Sequence, residues 1–139
     1  MKKSIIRAMS SADLFSRHLH SVVNTPLNEM QLDILFTIAS TSTPFRPSEL
    51  ATHLNVNRPI ITKNIAVLLD LGYLEKVESE TDGRSFTLTI TRSGTAITSG
   101  KLGEQYYANM SRLLDVLGKK KLNKLTRLLD EANKTLQES

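Results

Sequence analysis

The side chains best suited to chemistry in this sequence are the hydrogen-bond donors that follow Asn57. Arg58, Thr62 and Lys63 lie close together in the chain, with Pro59 between them. Arginine and lysine donate to phosphate or to guanine, and threonine donates to phosphate while its methyl group contacts the methyl group of thymine. These residue types in one short segment favour contact with nucleic acid. The alternative is that both cations are solvated residues on the surface of a helix.

A second candidate group is Asp82-Gly83-Arg84, in which the Asp-Gly pair predicts a tight turn. An arginine at the tip of such a turn can enter a narrow minor groove, where the electrostatic potential is strongly negative. The carboxylate of Asp82 can hold the guanidinium group in place. The alternative is an ordinary turn that carries a solvated arginine.

Ser48 and Asn57 each stand where a helix is predicted to begin. Unpaired N–H groups at a helix start bind phosphate, and the hydroxyl group of Ser48 adds a donor there. Serine and asparagine are also the usual N-cap residues. Ser48 is therefore a phosphate donor or a cap, and Asn57 is a cap or a base contact.

The other reactive residue types form no catalytic or metal site that the sequence reveals. The chain has no cysteine, no glycine-rich phosphate loop and no serine nucleophile motif. His18 and His20 are two residues apart, which on a helix separates them by roughly 200°, so they cannot chelate one ion from one face. We expect no metal, no cofactor and no enzymatic activity.

The net charge of +4 gives little support to nucleic-acid binding. Between Phe45 and Arg92, six basic residues are balanced by six acidic ones. The surplus lies towards the C-terminus, notably at Lys119-Lys120-Lys121, which is either a solvated face or a contact with flanking DNA. No apolar run approaches the length that spans a membrane, so we expect a soluble cytoplasmic protein with no membrane partner.

Hydrophobic periodicity defines the elements that position these residues. Apolar residues at spacings of three and four predict a long helix over 5–23, a helix from the Asn28–Gln31 capping box to Ala39, and a short helix over Glu49–Leu54. After the tight turn 55–57, a helix capped by Asn57 runs to Gly72, with Ile61, Ile65 and Leu68 facing inward.

The period then changes from 3.6 to two residues. Residues 73–78 and 86–90 alternate, which predicts a β-hairpin with its turn at Asp82-Gly83. Thr91 is expected to cap a long helix from Ser93 towards Leu117. Gly118 breaks it, and a last helix carries leucines at helical spacing.

Five segments together resemble the multiple-antibiotic-resistance regulator (MarR) family of bacterial transcription regulators. They are 27–35, 48–56, 61–68, 72–74, and Asp82-Gly83-Arg84 followed by 88–94, the last of which is similar to the family's wing signature. The chain departs from the family at the wing tip. Many members have two adjacent basic residues there, whereas Arg84 stands alone and the acids Glu78 and Glu80 lie nearby.

The resemblance implies a mostly α-helical fold with one β-hairpin, a winged helix-turn-helix flanked by long N- and C-terminal dimerisation helices. It implies one domain over 1–139, with a DNA-binding part at 27–92 and helical dimerisation parts at 4–23 and 93–137. The implied DNA-binding residues are Ser48, Asn57, Arg58, Pro59, Thr62, Lys63, Asp82 and Arg84.

The implied function is sequence-specific regulation of transcription, as a repressor. A homodimer would bind a pseudo-palindromic operator in double-stranded DNA, and a small-molecule effector whose identity the sequence does not name would release it. The alternative is a winged-helix module for protein–protein contact, such as an antirepressor or assembly factor.

Overall fold

The computed structural model describes residues 1–20, 24–79 and 85–138, which form α-helices and one two-stranded antiparallel sheet. The mostly α-helical winged-helix architecture expected from the sequence is therefore confirmed. In chain order the elements are α1 (Lys2–Leu19), α2 (Glu29–Ala39), α3 (Pro47–Leu54), α4 (Arg58–Asp70), β1 (Leu74–Glu78), β2 (Phe86–Ile90), α5 (Arg92–Ser99), α6 (Lys101–Leu117) and α7 (Lys119–Gln137).

The chain divides into two units. The winged unit is Val23–Glu104, and the helical unit combines Met1–Val22 with Gln105–Ser139. The division expected from the sequence, one domain over 1–139 with its winged part at 27–92 and dimerisation parts at 4–23 and 93–137, remains a prediction.

The core of the winged unit is built from aliphatic side chains at the spacings that the sequence shows. Each fully buried leucine or isoleucine stabilises the fold by about 2 kcal/mol relative to an exposed one. Because α2 and α4 each contribute one apolar face, the two helices pack together in this core. The buried apolar residues are Leu27, Leu32, Ile34, Leu35, Phe36, Ile38, Leu50, Ile61, Ile65, Leu68, Leu74 and Leu88.

The predicted capping box at the start of α2 is confirmed. The Asn28 side-chain oxygen accepts from the Gln31 backbone N–H at 2.7 Å, and the Gln31 side-chain oxygen accepts from the Asn28 backbone N–H at 3.1 Å. Two of the unpaired donors at this helix start are thereby satisfied.

The predicted hairpin forms, with Leu74 opposite Ile90 and Glu78 opposite Phe86. The segment before α3 also joins the sheet, because Phe45 forms an isolated antiparallel bridge to Leu88. The Leu88 N–H donates to the Phe45 carbonyl at 2.7 Å, and the Phe45 N–H donates to the Leu88 carbonyl at 3.3 Å. This bridge fixes the start of α3 beside the wing.

The Thr-x-x-Gly motif after the wing joins the hairpin to the end of α4. Gly72 has a φ of +78°, the left-handed conformation that glycine adopts without strain. Its carbonyl accepts from the hydroxyl groups of Thr91 at 2.6 Å and Ser93 at 2.9 Å, while the Thr91 hydroxyl caps α5 by accepting from the Gly94 N–H. A Cβ at Gly94 would overlap the Tyr73 carbonyl, so only glycine fits this approach.

The prediction of one long helix from Ser93 to Leu117 is wrong. The helix stops at Ser99, because Gly100 adopts a non-helical conformation with φ −96° and ψ −148°. The break brings α5 and α6 so close that a Cβ at Gly103 would overlap the Thr98 carbonyl. Glycine is a poor helix former, and the pair at 100 and 103 allows both the break and the approach.

The helical unit exposes many apolar side chains. In it α1 and α7 contain no buried residue among those described, and α1 ends at Leu19 rather than reaching 23 as predicted. The Asn109 side chain donates to the His18 carbonyl at 2.5 Å, which satisfies an acceptor at that helix end. None of the described helices has both the length and the apolar character needed to cross a membrane.

Candidate nucleic-acid interface

Helix α4 is oriented by its buried face. Ile61 and Leu68 are fully buried and Ile65 is nearly so, as the sequence predicted. Since residues three and four apart share one helix face, the opposite face is directed to solvent. The exposed residues of this face are Pro59, Thr62, Lys63, Ala66, Val67 and Asp70. We call the first four, which lie nearest the start of α4, the outward stripe.

A buried amide holds α4 against the start of α2. Asn64 is 7% exposed, and its side-chain oxygen accepts from the side-chain amides of Asn28 and Gln31, each at 3.1 Å. Its own amide group donates to the Ile60 carbonyl at 2.8 Å. A buried network in which every member is paired defines one arrangement of its helices. Asn64 therefore fixes the rotation of the outward stripe.

The start of α4 has the geometry expected from the sequence. Asn57 is the N-cap, and its side-chain oxygen accepts from the Ile60 N–H at 3.1 Å. Arg58 and Pro59 follow in the first turn, where the missing N–H of proline costs nothing. All three residues are exposed. The capping role of Asn57 is thus observed, and its role as a base contact remains a prediction.

The polar groups of the outward stripe have no partner among the described residues. Thr52, Thr126 and Thr135 donate their hydroxyl groups to the carbonyl four residues earlier. Thr62 makes no such bond, and the Lys63 ammonium group pairs with no carboxylate in the described part of the chain. Both side chains are therefore available to an external acceptor.

The structure corrects the predicted start of α3. The helix begins at Pro47, two residues before Glu49, and its N-cap is Arg46 rather than Ser48. The backbone N–H of Arg46 donates to the Glu49 carboxylate at 2.9 Å, so the capping bond comes from Glu49. Ser48 consequently lies in the first turn, exposed, and the interpretation of Ser48 as the cap is wrong. Its role as a phosphate donor is unaffected.

Arg46, Ser48 and Arg58 meet at one cleft between α3, α4 and the base of the wing. We call it the Arg46 cleft; its volume is about 220 Å³ and its described lining is Arg46, Pro47, Ser48, Arg58, Ser85 and Phe86. No carboxylate occurs in that lining. A neighbouring hollow of about 150 Å³ is shared by Arg46 and Glu78, so an acid does border this region.

The wing can be described at its base. Lys76 on β1 lies over the ring of Phe86 on β2, with its Nζ atom 4.6 Å from the ring centroid, a cation–π contact that stiffens the hairpin. Residues 80–84 lie outside the described part of the structure. The predicted roles of Asp82 and Arg84 at the wing tip therefore remain predictions.

A comparison with protein families agrees with this winged-helix geometry. Residues 25–85 match the model described as the MarR family. Over these residues, somewhat under half of the chain, the sequence is similar to the MarR family. The matched segment includes α2, α3, α4 and β1, and therefore holds the whole outward stripe.

Solved structures, one of them of a MarR family regulator, share the fold along nearly the whole chain. A MarR family regulator from Neisseria meningitidis is 19% identical with a TM-score of 0.74, covering 99% of this chain and 93% of that one. FabT from Streptococcus pneumoniae, solved in complex with DNA, is 19% identical with a TM-score of 0.68, covering 99% of both chains. At such identities the similarity establishes the winged-helix fold.

A third structure is that of NadR in complex with 4-hydroxyphenylacetate. It is 22% identical to this chain, with a TM-score of 0.73, and the alignment covers 93% of this chain and 89% of that one. No curated protein matches the sequence.

The sequence patterns did not single out two residues of this region, Arg46 and Asn64. Arg46 precedes the proline that opens α3, so its position one residue before a helix start was the available signal. Asn64 lies within the buried sector of α4, three residues after Ile61 and four before Leu68. A polar residue at an inward position next to a capping box predicts a buried hydrogen bond.

Proposed function

We propose that this protein is a sequence-specific DNA-binding transcriptional regulator whose recognition helix is α4. The observation that carries the proposal is the outward stripe. Thr62 and Lys63, whose donors have no partner among the described residues, lie on a helix whose opposite face is buried and whose rotation Asn64 fixes. The major groove of B-DNA admits one α-helix, and donors on its exposed face reach base edges and phosphates.

The relatives support this proposal. FabT, which shares the fold, was solved in complex with DNA. If α4 enters the groove in the same way here, its first turn approaches the bases with Arg58 and Pro59, followed by Thr62 and Lys63. Ser48 contacts a phosphate, and Arg84 enters the minor groove with Asp82 beside it. A regulator of chromosomal operators acts in the cytoplasm, where we place this one.

We further propose that the regulator is a homodimer. The helical unit exposes apolar side chains on each of its helices, which an isolated unit would leave in water. A second copy would cover them and would present two recognition helices to a pseudo-palindromic site. The large apolar residues exposed in this unit are Met1, Ile5, Ile6, Met9, Leu14, Tyr107, Met110, Leu114, Val116, Leu128, Leu129 and Leu136.

Repression that a small molecule relieves is the regulatory mode we propose. NadR, which shares the fold, was solved with 4-hydroxyphenylacetate. The helical unit of this chain contains a cavity of about 440 Å³ with a mainly apolar lining, a volume that suits a small organic effector. The cavity is lined by Phe15, His18, Leu19, Asn109, Arg112, Leu113 and Val116.

A second candidate function is protein–protein contact through the winged unit, as in an antirepressor or an assembly factor. The observation that favours it is charge, since bases and acids balance between Phe45 and Arg92 and Glu78 lies at the wing. This candidate predicts saturable binding to a protein partner and no salt-dependent binding to DNA.

Sequencing the genomic fragments that the purified protein retains tests the leading proposal. We expect enrichment of one pseudo-palindromic motif with half-sites about one helical turn apart. Retention of fragments without any shared motif would contradict sequence-specific regulation. Transcription from the enriched promoter, measured with and without the protein in vitro, then separates repression from activation.

A further inference from the structure

We propose that the Arg46 cleft is a seat for one phosphate of the DNA backbone, in which Arg46 and Arg58 hold the phosphate from two sides. This inference rests on the proposed function and adds to it a contact residue, Arg46, that the sequence motifs do not reveal. Two guanidinium-bearing residues from different elements line one small cleft, and its described lining contains no acid.

The donors around the cleft are available. Within the described residues neither Arg46 nor Arg58 forms an ion pair, and the Ser48 hydroxyl group has no hydrogen-bond partner. Ser48 occupies the second position of α3, so its backbone N–H has no acceptor within the helix either. The positive end of the α3 dipole adds to the attraction for an anion. The first turn of α3 and the two arginines thus contribute donors to the same cleft.

The size of the cleft fits a phosphodiester group. A volume of about 220 Å³ is several times that of one water molecule, about 30 Å³ in the liquid, so a phosphate enters with part of its hydration. A guanidinium group donates two parallel N–H bonds to phosphate oxygens, which a lysine ammonium group cannot do.

The position of the cleft favours DNA over a free anion. Arg58 is the first residue of α4, and Pro59, the first residue of the outward stripe, follows it directly. A phosphate bound there lies beside the helix that enters the groove. Backbone contacts of this kind set the register of a protein on its duplex and carry no sequence information themselves. We therefore expect the seat to strengthen binding to operator DNA and to random DNA by the same factor.

Arg46→Gln in the full-length protein tests the seat. Anisotropy titrations on the enriched operator and on a random duplex of equal length, from 50 to 200 mM salt, would give both affinities and their salt slopes. We expect roughly fivefold weaker binding to both duplexes at about 0.15 M salt and a salt slope smaller by about 0.9, the loss of one phosphate contact. Arg46→Lys should recover the slope but only part of the affinity.

Two properties of the protein keep this test interpretable. The cap of α3 uses the backbone of Arg46, so the glutamine variant retains it, and unchanged thermal melting would verify that. Arg92→Gln is the matched control. Arg92 is exposed and follows Thr91, which bonds to Gly72. Gly72 lies beyond the far end of α4, and that end is about 18 Å along the helix from Arg58. We expect this control to bind as the wild type does.

These measurements distinguish failure of the phosphate seat from failure of the proposed function. An unchanged affinity and slope in Arg46→Gln would overturn the seat, while specific binding by the wild type would leave the proposed function standing. A wild type that prefers no sequence would defeat the proposed function, and the slope on random DNA would still decide the seat. Inorganic phosphate should compete no better than chloride at equal ionic strength. Saturation of the Ser48 amide resonance by micromolar phosphate would instead assign the cleft to a free anion and overturn the DNA assignment.

Discussion

Thr62 is the residue whose chemistry the structure defines most sharply. Its hydroxyl group lacks the bond to the carbonyl four residues earlier that Thr52, Thr126 and Thr135 form, and it lies on the exposed side of α4. A donor left unpaired inside a helix has water as its partner until a ligand replaces that water. The proposed ligand is a phosphate oxygen or a base edge.

Thr62→Val therefore should weaken operator binding without weakening the fold. The change keeps the shape of the side chain and removes a hydroxyl group that bonds to none of the residues the structure describes. We therefore expect a loss of about 0.5–1.5 kcal/mol of binding free energy. Anisotropy titration measures it. Thr126→Val in α7, which removes a hydroxyl group already bonded within its helix, is the control and should leave the affinity unchanged. Equal affinities of the Thr62 variant and the wild type would remove this hydroxyl group from the interface.

A second prediction for a single residue concerns Arg84 and rests on the sequence alone. Arg84→Ala should cost roughly 1–3 kcal/mol of operator affinity, because a guanidinium group in a narrow minor groove meets the strongest negative potential of the duplex. The loss should be largest for operators with A·T-rich flanks, and gel-shift titration against A·T-rich and G·C-rich variants measures it. Equal affinity of the variant and the wild type would assign the wing tip a purely structural role.

The elements show which features the sequence could predict. The boundaries of α2 and α4, the hairpin and the Thr91 cap follow from local rules of capping and periodicity, which act over a few residues. The separation of α5 from α6 could not be predicted in that way, because the residues from Ser93 to Leu117 keep helical periodicity across Gly100. The early start of α3 depends on Glu49 reaching back three residues to the Arg46 backbone, a local bond that competes with capping by Ser48.

Asn64 holds helix α4, which carries the outward stripe, so its removal should destabilise the fold. Asn64→Ala leaves the side-chain amides of Asn28 and of the buried Gln31 without their common acceptor, which should lower the free energy of unfolding by about 1–3 kcal/mol. Urea unfolding measures this change. Asn123→Ala, at an exposed position of α7, is the matched control and should stay within about 0.5 kcal/mol of the wild type. A variant at position 64 as stable as the wild type would show that the network does not hold α4.

For the whole molecule, the exposed apolar surface of the helical unit predicts a dimer at micromolar concentration. Leu128 on α7 is 53% exposed, and a glutamate there would place an unpaired charge in the proposed interface. We expect Leu128→Glu to shift sedimentation towards the monomer, whereas Asn123→Glu, at an exposed position on the opposite side of the same helix, should not. Sedimentation of the wild type as a stable monomer at this concentration would remove the argument for a palindromic operator.

The basic and acidic residues between 45 and 92 balance, so nonspecific attraction to the DNA backbone contributes little to binding by the winged unit. Sequence recognition must come from placed donors on the outward stripe, while the Arg46 cleft sets the register of the protein on the duplex. The most direct test is the affinity of the full-length protein for its own promoter region and for a random duplex of equal length, at about 0.15 M salt. We expect binding to the promoter at least about 10³-fold tighter than to random DNA. Equal affinity for the two duplexes would contradict it.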